Sequence, residues 1–189
     1  MKEIISLVFL ILIFGCNNKN LNTKEHINNQ ELIKMIEVDQ KMRQEDTTDF
    51  ELIDQKHRKR VFELLAENQI KTPIDKYNAA LILQHTNAIY CDNMLKSISP
   101  ENFLLAYCLS NSAYNEGYKQ AAYMVALNQD RYLLYTLGYQ KYGTQKIYDE
   151  KSDSFLWAPI DSTTTDVERA KYGVPNKKVL LEQALMKNF

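Results

Sequence analysis

Apolar positions recur at helical spacing along most of the chain, and clear start and stop signals punctuate them. Leu32, Met35, Ile36 and Met42 predict an amphipathic helix over residues 30–46. Thr48-Asp49-Phe50-Glu51 has the spacing of a capping box and opens a second helix, to about Asn68. Thr72-Pro73-Ile74-Asp75 puts proline at the first helical position of a third, expected to reach Leu95. Ser99-Pro100 starts a fourth, which Gly117 ends. A fifth, over residues 118–137, is apolar on nearly every side and is expected to be central, with Gly138 as its cap. The period then changes. Residues 144–148 and 154–160 flank the turn DEKSD and predict a β-hairpin with Trp157 packed on the helices. Thr165-Asp166-Val167-Glu168 is another capping box, opening a short helix that Gly173 stops, and Pro175 separates it from a last helix over 177–187. The pattern gives a mainly α fold: one domain over residues 30–189, of six to seven helices with one small β-hairpin near the C-terminal third.

The first residues do not belong to that domain. MKEIISLVFLILIFGC runs from a lysine through an unbroken apolar stretch to Gly15 and Cys16, the order of a secretory signal. The apolar run is shorter than the roughly 20 residues of a membrane-spanning helix. Its Gly-Cys ending resembles a bacterial lipoprotein signal, which implies removal of residues 1–15 and lipidation of Cys16. The asparagine-rich stretch that follows, to residue 29, buries too little to offset its ordering entropy and reads as a tether. Its reach is about 20 Å. Asn17 in place of aspartate after the cysteine implies, by the same resemblance, the outer membrane and a domain facing the periplasm. The membrane is thus an expected partner, through lipid.

Composition narrows the other partners. The net charge of −1 gives no reason to expect nucleic acid, and Lys56-His57-Arg58-Lys59-Arg60 reads as a solvated helix face. Cys91 and Cys108 are expected on successive helices as free, buried thiols. No Cys/His spacing points to zinc, and no motif points to a cofactor.

The chemistry-bearing residues are those placed where a helix should be apolar. Asp39 and Arg43 fall in the middle of the first helix's apolar arc, four residues apart and able to pair. His85 lies between Leu81 and Ile89 on the stripe expected for the third helix, with Asp92 further along. His57 lies between Ile53 and Val61 on the second. Buried charges need partners. Two readings follow: these residues, with Asp130 and Arg131, tie elements together, or they converge on a polar pocket. In QDRYLLYTLGYQKYGTQ, the polar groups Gln140, Tyr142, Thr144 and Gln145 either satisfy the backbone of a glycine-bent turn or face His85.

These residues resemble the bacterial family called domain of unknown function 6624. The resemblance rests on Asp39-Gln40 with Arg43, Gln84-His85, Asp130-Arg131, Gly138, the block from Gln140 to Gln145, Pro159-Ile160-Asp161, and Asp166 with Arg169 and Ala170 before Gly173-Val174. It covers roughly residues 31 to 175 and implies a set of positions rather than an activity, with Arg169 among them. Where the family has Gly-Trp-Pro, this chain has Lys71-Thr72-Pro73 and keeps only the proline. Separately, residues 105–127 have the alanine and glycine spacing of a Sel1-like or tetratricopeptide helix pair. Only one unit is visible, too few for a repeat array.

The resulting expectation is a membrane-anchored lipoprotein whose helical domain binds a small-molecule ligand or an envelope protein. Nine of the twelve tyrosines fall between Tyr107 and Tyr148, and tyrosine suits recognition by joining apolar area to a hydroxyl. Two alternatives stand beside it. One is an envelope hydrolase with His85 as acid/base, Asp39 or Asp130 orienting it, and Arg43 or Arg131 holding an anion. The other is an immunity or inhibitor lipoprotein.

Overall fold

The computed structural model describes residues 26–45, 50–86, 88–91 and 94–186. The signal, Cys16, most of the tether, Thr48, Asp49 and Asp92 lie outside the described residues. Among these described residues, seven helices and two hairpins follow one another. They are α1 (Gln30–Gln44), α2 (Phe50–Ala66), α3 (Pro73–Leu83), β1 (Ala88–Cys91), β2 (Met94–Ser97), α4 (Pro100–Asn115), α5 (Ala122–Leu137), β3 (Lys146–Asp149), β4 (Ser154–Trp157), α6 (Asp166–Lys171) and α7 (Lys177–Met186). A short 3₁₀ turn, Lys119–Ala121, leads into α5. The mainly α class and the hairpin near the C-terminal third are as the pattern predicts.

The caps explain the boundaries. Asn29 accepts from the amides of Glu31 and Leu32 at the start of α1. Thr72 and Asp75 form a reciprocal capping box on α3. The same buried Asp75 carboxylate accepts the Asn29 amide at 2.7 Å, which fixes the start of α1 to that of α3. Thr165 and Glu168 repeat the device on α6. Gly138, at φ 78°, closes α5 in the left-handed conformation that glycine adopts without strain.

α4 packs against both α3 and α5. Its buried small residues Ala106, Ser110 and Ala113 permit the close approach. Leu32, Val61, Leu64, Ile82 and Leu83 join α1, α2 and α3 in the larger core cluster. Burying one such side chain contributes about 1.5–3 kcal/mol. A second cluster, around Val125, Tyr142 and Tyr172, holds the C-terminal third. There Trp157 donates its indole N–H to the Leu180 carbonyl of α7, which seats the β3–β4 hairpin on the helices.

The structure corrects three expectations. α3 ends at Leu83 rather than reaching Leu95, and the antiparallel hairpin β1–β2 takes its place. Cys91 therefore lies on a strand, and Cys108 is an exposed free thiol rather than a buried one. α5 buries Met124, Val125, Ala126, Asn128 and Asp130 over more than half of its circumference, but it is not covered all round, since Tyr123 and the end of its last turn, with Leu137, are exposed. Among the described residues, no helix is long and apolar enough to cross a membrane.

Candidate functional site

The early end of α3 creates the site. A helix leaves its last carbonyls without intrahelical partners, and here side chains from elsewhere take them. Thr86 Oγ1 donates to the Leu83 carbonyl at 2.8 Å, and Arg131 Nη1 from α5 donates to that of Gln84 at 2.9 Å. Arg58 Nη1 from α2 donates to the His85 carbonyl. Two guanidinium groups thus meet the negative end of the α3 dipole, where cations are stabilised.

Beside this helix end lies a pocket of about 310 Å³, lined by Arg43, Asp54, Gln84, His85, Thr86, Phe103, Arg131, Tyr135 and Gln145. The volume is at the lower end of the range for small-molecule sites, roughly 300–1,000 Å³. Phe103 and Tyr135 stack at 5.3 Å to give an apolar wall. The Arg131 guanidinium lies 5.9 Å from the Phe103 ring centroid.

Asp39 organises one side. Its carboxylate is 1% exposed and accepts from His85 Nδ1 at 2.9 Å, Arg43 Nη2 at 3.1 Å and Gln40 Nε2 at 2.8 Å. Burial alone would raise the Asp39 carboxyl, but His85 and Arg43 outweigh it and hold the group below its ordinary value, as a carboxylate. With Nδ1 facing Asp39, Nε2 is the His85 nitrogen left for the pocket. Arg43 Nη2 also donates to Asp54 at 2.7 Å, so one guanidinium bridges two buried carboxylates. His57, one turn along α2 from Asp54, is half-buried, and burial pushes its imidazole down against the pull of Asp39 and Asp54.

Asp39, Asp54 and His85 each place one ligand atom within 4.8 Å of the others, close enough for one cation. Arg43 already supplies positive charge between the two carboxylates, and a metal ion there would have to displace it.

Arg131 occupies the other side. Nε donates to Gln145 Oε1 at 3.2 Å, and Nη1 donates to the carbonyl and side-chain oxygens of Gln84. All these acceptors are neutral. Among the described residues no carboxylate pairs with this guanidinium, and burial lowers its pKa, with only tyrosines opposing. Nη2 and its two N–H groups are left for the pocket.

The other sequence candidates sit apart from this pocket. Asp130, fully buried, accepts the amides of Lys141, Tyr142 and Thr144 at 2.7, 2.7 and 2.9 Å, and the Thr144 hydroxyl at 2.9 Å. Burial raises its carboxyl even against these donors. Arg169, fully buried, donates to the carbonyls of Tyr142 and Lys141. Gln140 takes the Gln145 amide and donates to the Gln145 and Ala158 carbonyls, while its backbone bridges to Pro159 and Asp161. Asp130, Gln140, Tyr142, Thr144 and Arg169 therefore close a turn. They engage most of its polar groups, and none of the five lines the pocket. Gln145 joins the two regions, since its Nε2 donates to Thr144 Oγ1 and its Oε1 accepts from Arg131.

No protein-family model, curated protein or solved structure matches this chain.

Of the residues expected at a site, the pocket gathers Arg43, His85, Arg131 and Gln145, with Asp39 directly behind His85. It adds Asp54, Gln84, Thr86, Phe103 and Tyr135. Asp54 had a signal in the sequence: it lies seven residues before Val61, on the buried stripe of α2. The two aromatic residues had none, because their rings sit on helix faces that look like ordinary core.

Proposed function

We propose that this is a lipid-anchored envelope protein whose helical domain binds a small molecule bearing a carboxylate, held against Arg131. The observation that carries the reading is the state of that guanidinium. It is partly buried, hydrogen-bonded only to neutral acceptors, and presents Nη2 to an open pocket. A desolvated charge without a counter-ion is costly, and an anionic ligand supplies one. The α3 dipole offsets part of that charge, which leaves a match for a single anionic group. Gln84, whose side-chain oxygen is taken by Arg131, keeps its amide donors beside the same space. The Phe103–Tyr135 wall suits an apolar group attached to the carboxylate.

Titration calorimetry of the full-length chain with benzoate and with acetate tests this. Benzoate should bind more tightly than acetate, and Arg131→Gln should abolish both while the melting transition persists. Benzoate binding that survives Arg131→Gln would sink the proposal. The anchor has its own test: Cys16→Ser should release the protein from the membrane fraction, and undiminished membrane association would reject lipidation at Cys16.

A further inference from the structure

We infer that the carboxylate held at Arg131 is a reaction product, and that the pocket hydrolyses carboxylic esters of apolar acids with His85 as general base toward water. The inference rests on the binding role proposed for Arg131 and extends it to the neighbouring dyad.

Asp39 accepts the Nδ1 proton of His85, fixes that tautomer and leaves Nε2 as an acceptor in the pocket. Asp39 is itself held by Arg43 and Gln40, so the imidazole has a rigid support. The hydroxyl among the pocket's lining residues nearest in sequence to His85 is that of Thr86. It donates to the Leu83 carbonyl and accepts from Asn102, which leaves it no proton to give up. With Thr86 so engaged, and the other hydroxyl of the lining a phenol whose ring is stacked on Phe103, water serves as the nucleophile.

The chemistry closes with one imidazole. His85 Nε2 takes a proton from water as the water oxygen bonds to the ester carbonyl carbon. The carbonyl π pair moves onto oxygen, and the resulting oxyanion is stabilised by Arg131 Nη2. When that pair returns, the carbon–alkoxide bond breaks and the alkoxide takes the proton from His85. The products are an alcohol and a carboxylic acid, which ionises against Arg131. Asp39 stays a carboxylate throughout and is a positioning residue.

The same economy argues against phosphoryl transfer. In-line displacement puts the entering and leaving oxygens on opposite sides of phosphorus, where one imidazole cannot serve both. A tetrahedral acyl intermediate keeps them on one centre within reach of the same nitrogen. The pocket presents a single dyad, and Asp54, the other carboxylate, is tied to Arg43.

The test uses the full-length chain in detergent with ethyl benzoate as substrate, benzoate formation read by chromatography, and benzoate binding read by calorimetry. Saturable hydrolysis, inhibited competitively by benzoate, is expected. His85→Gln should lower kcat by about 100-fold or more, the usual scale of general-base catalysis, and leave benzoate binding within threefold. Asp39→Asn should lower kcat while KM holds. Arg131→Gln should lower kcat by about 100- to 1,000-fold, the scale of one oxyanion donor, and lose benzoate binding as well. Three results would each overturn the inference: benzoate binding without ethyl benzoate hydrolysis, hydrolysis that benzoate does not inhibit, and hydrolysis that EDTA abolishes. Absence of benzoate binding would instead remove the underlying binding proposal. The benzoate-inhibition arm needs only the unmodified chain, so it decides even where a variant fails to fold.

Discussion

Asp130→Asn is the sharpest probe of the turn that follows α5. The exchange keeps side-chain size and removes one acceptor oxygen. The retained oxygen can still accept from Lys141 and Tyr142, as Oδ1 does now at 2.7 Å each. The new amide group faces the Thr144 amide, donor against donor, where Oδ2 now accepts at 2.9 Å. The Thr144 hydroxyl can rotate to accept, but the backbone N–H cannot. One stranded buried donor costs about 1–3 kcal/mol. Weakening the two retained bonds from charged to neutral is offset by relief of the burial cost that raises the carboxyl, so the expected loss stays at about 1–3 kcal/mol. In urea, with a slope of about 2 kcal/mol per M, the unfolding midpoint should fall by about 0.5–1.5 M. A drop below about 0.5 M would refute the claim that Asp130 holds this turn together, and would return it to the candidates for ligand contact.

Gly143→Ala tests the same turn from the backbone. Gly143 has φ +86°, and an added Cβ would lie 2.7 Å from Leu180 Cδ1 and 3.1 Å from Ile160 Cδ1. The left-handed backbone costs about 1–2 kcal/mol and overpacking about 1–3 kcal/mol, so thermal denaturation should show a loss of at least about 2 kcal/mol. Arg43→Ala should destabilise by about 3–5 kcal/mol, because it strands the buried Asp39 and Asp54 carboxylates. Millimolar zinc should then restore part of the melting temperature in the variant and leave the parent unchanged, since Arg43 no longer occupies the space between the carboxylates. Acid should weaken the fold in two stages, read by urea midpoints across pH. His57 is held below its ordinary 6.5, so its contribution is present above 6.5 and lost as pH falls below it. Asp39 is held below its ordinary 3.8, so its contribution is present above 3.8 and lost as pH falls through its folded value. His57→Gln should remove the first stage.

Local signals carried far where the physics was local. Thr72 with Asp75, Thr165 with Glu168, and Gly138 are read within a few residues, and each boundary they mark is real. The Asp39–Arg43 pair was legible from its i,i+4 spacing in an apolar arc. The end of α3 was not. Its apolar spacing continues past Leu83 through Ile89, while the groups that stop it, Arg58 and Arg131, come from helices far along the chain. Asp130 and Arg131 show the same divide. They are neighbours in sequence, yet one turns inward to close a loop and the other lines the pocket. Only packing decides which residue of such a pair meets solvent.

The capping of α3 by arginines from α2 and α5 has a practical consequence. α1, α2, α4, α5 and the segment after α3 each contribute a pocket wall, so no fragment of the domain can form the pocket by itself. Any occupancy of it is then linked to global folding. A ligand at one hundred times its dissociation constant should add about 2.7 kcal/mol to the stability of the whole domain. Thermal-shift screening of small organic acids therefore tests the proposed binding directly, because an occupant of this pocket must raise the melting of all these helices together.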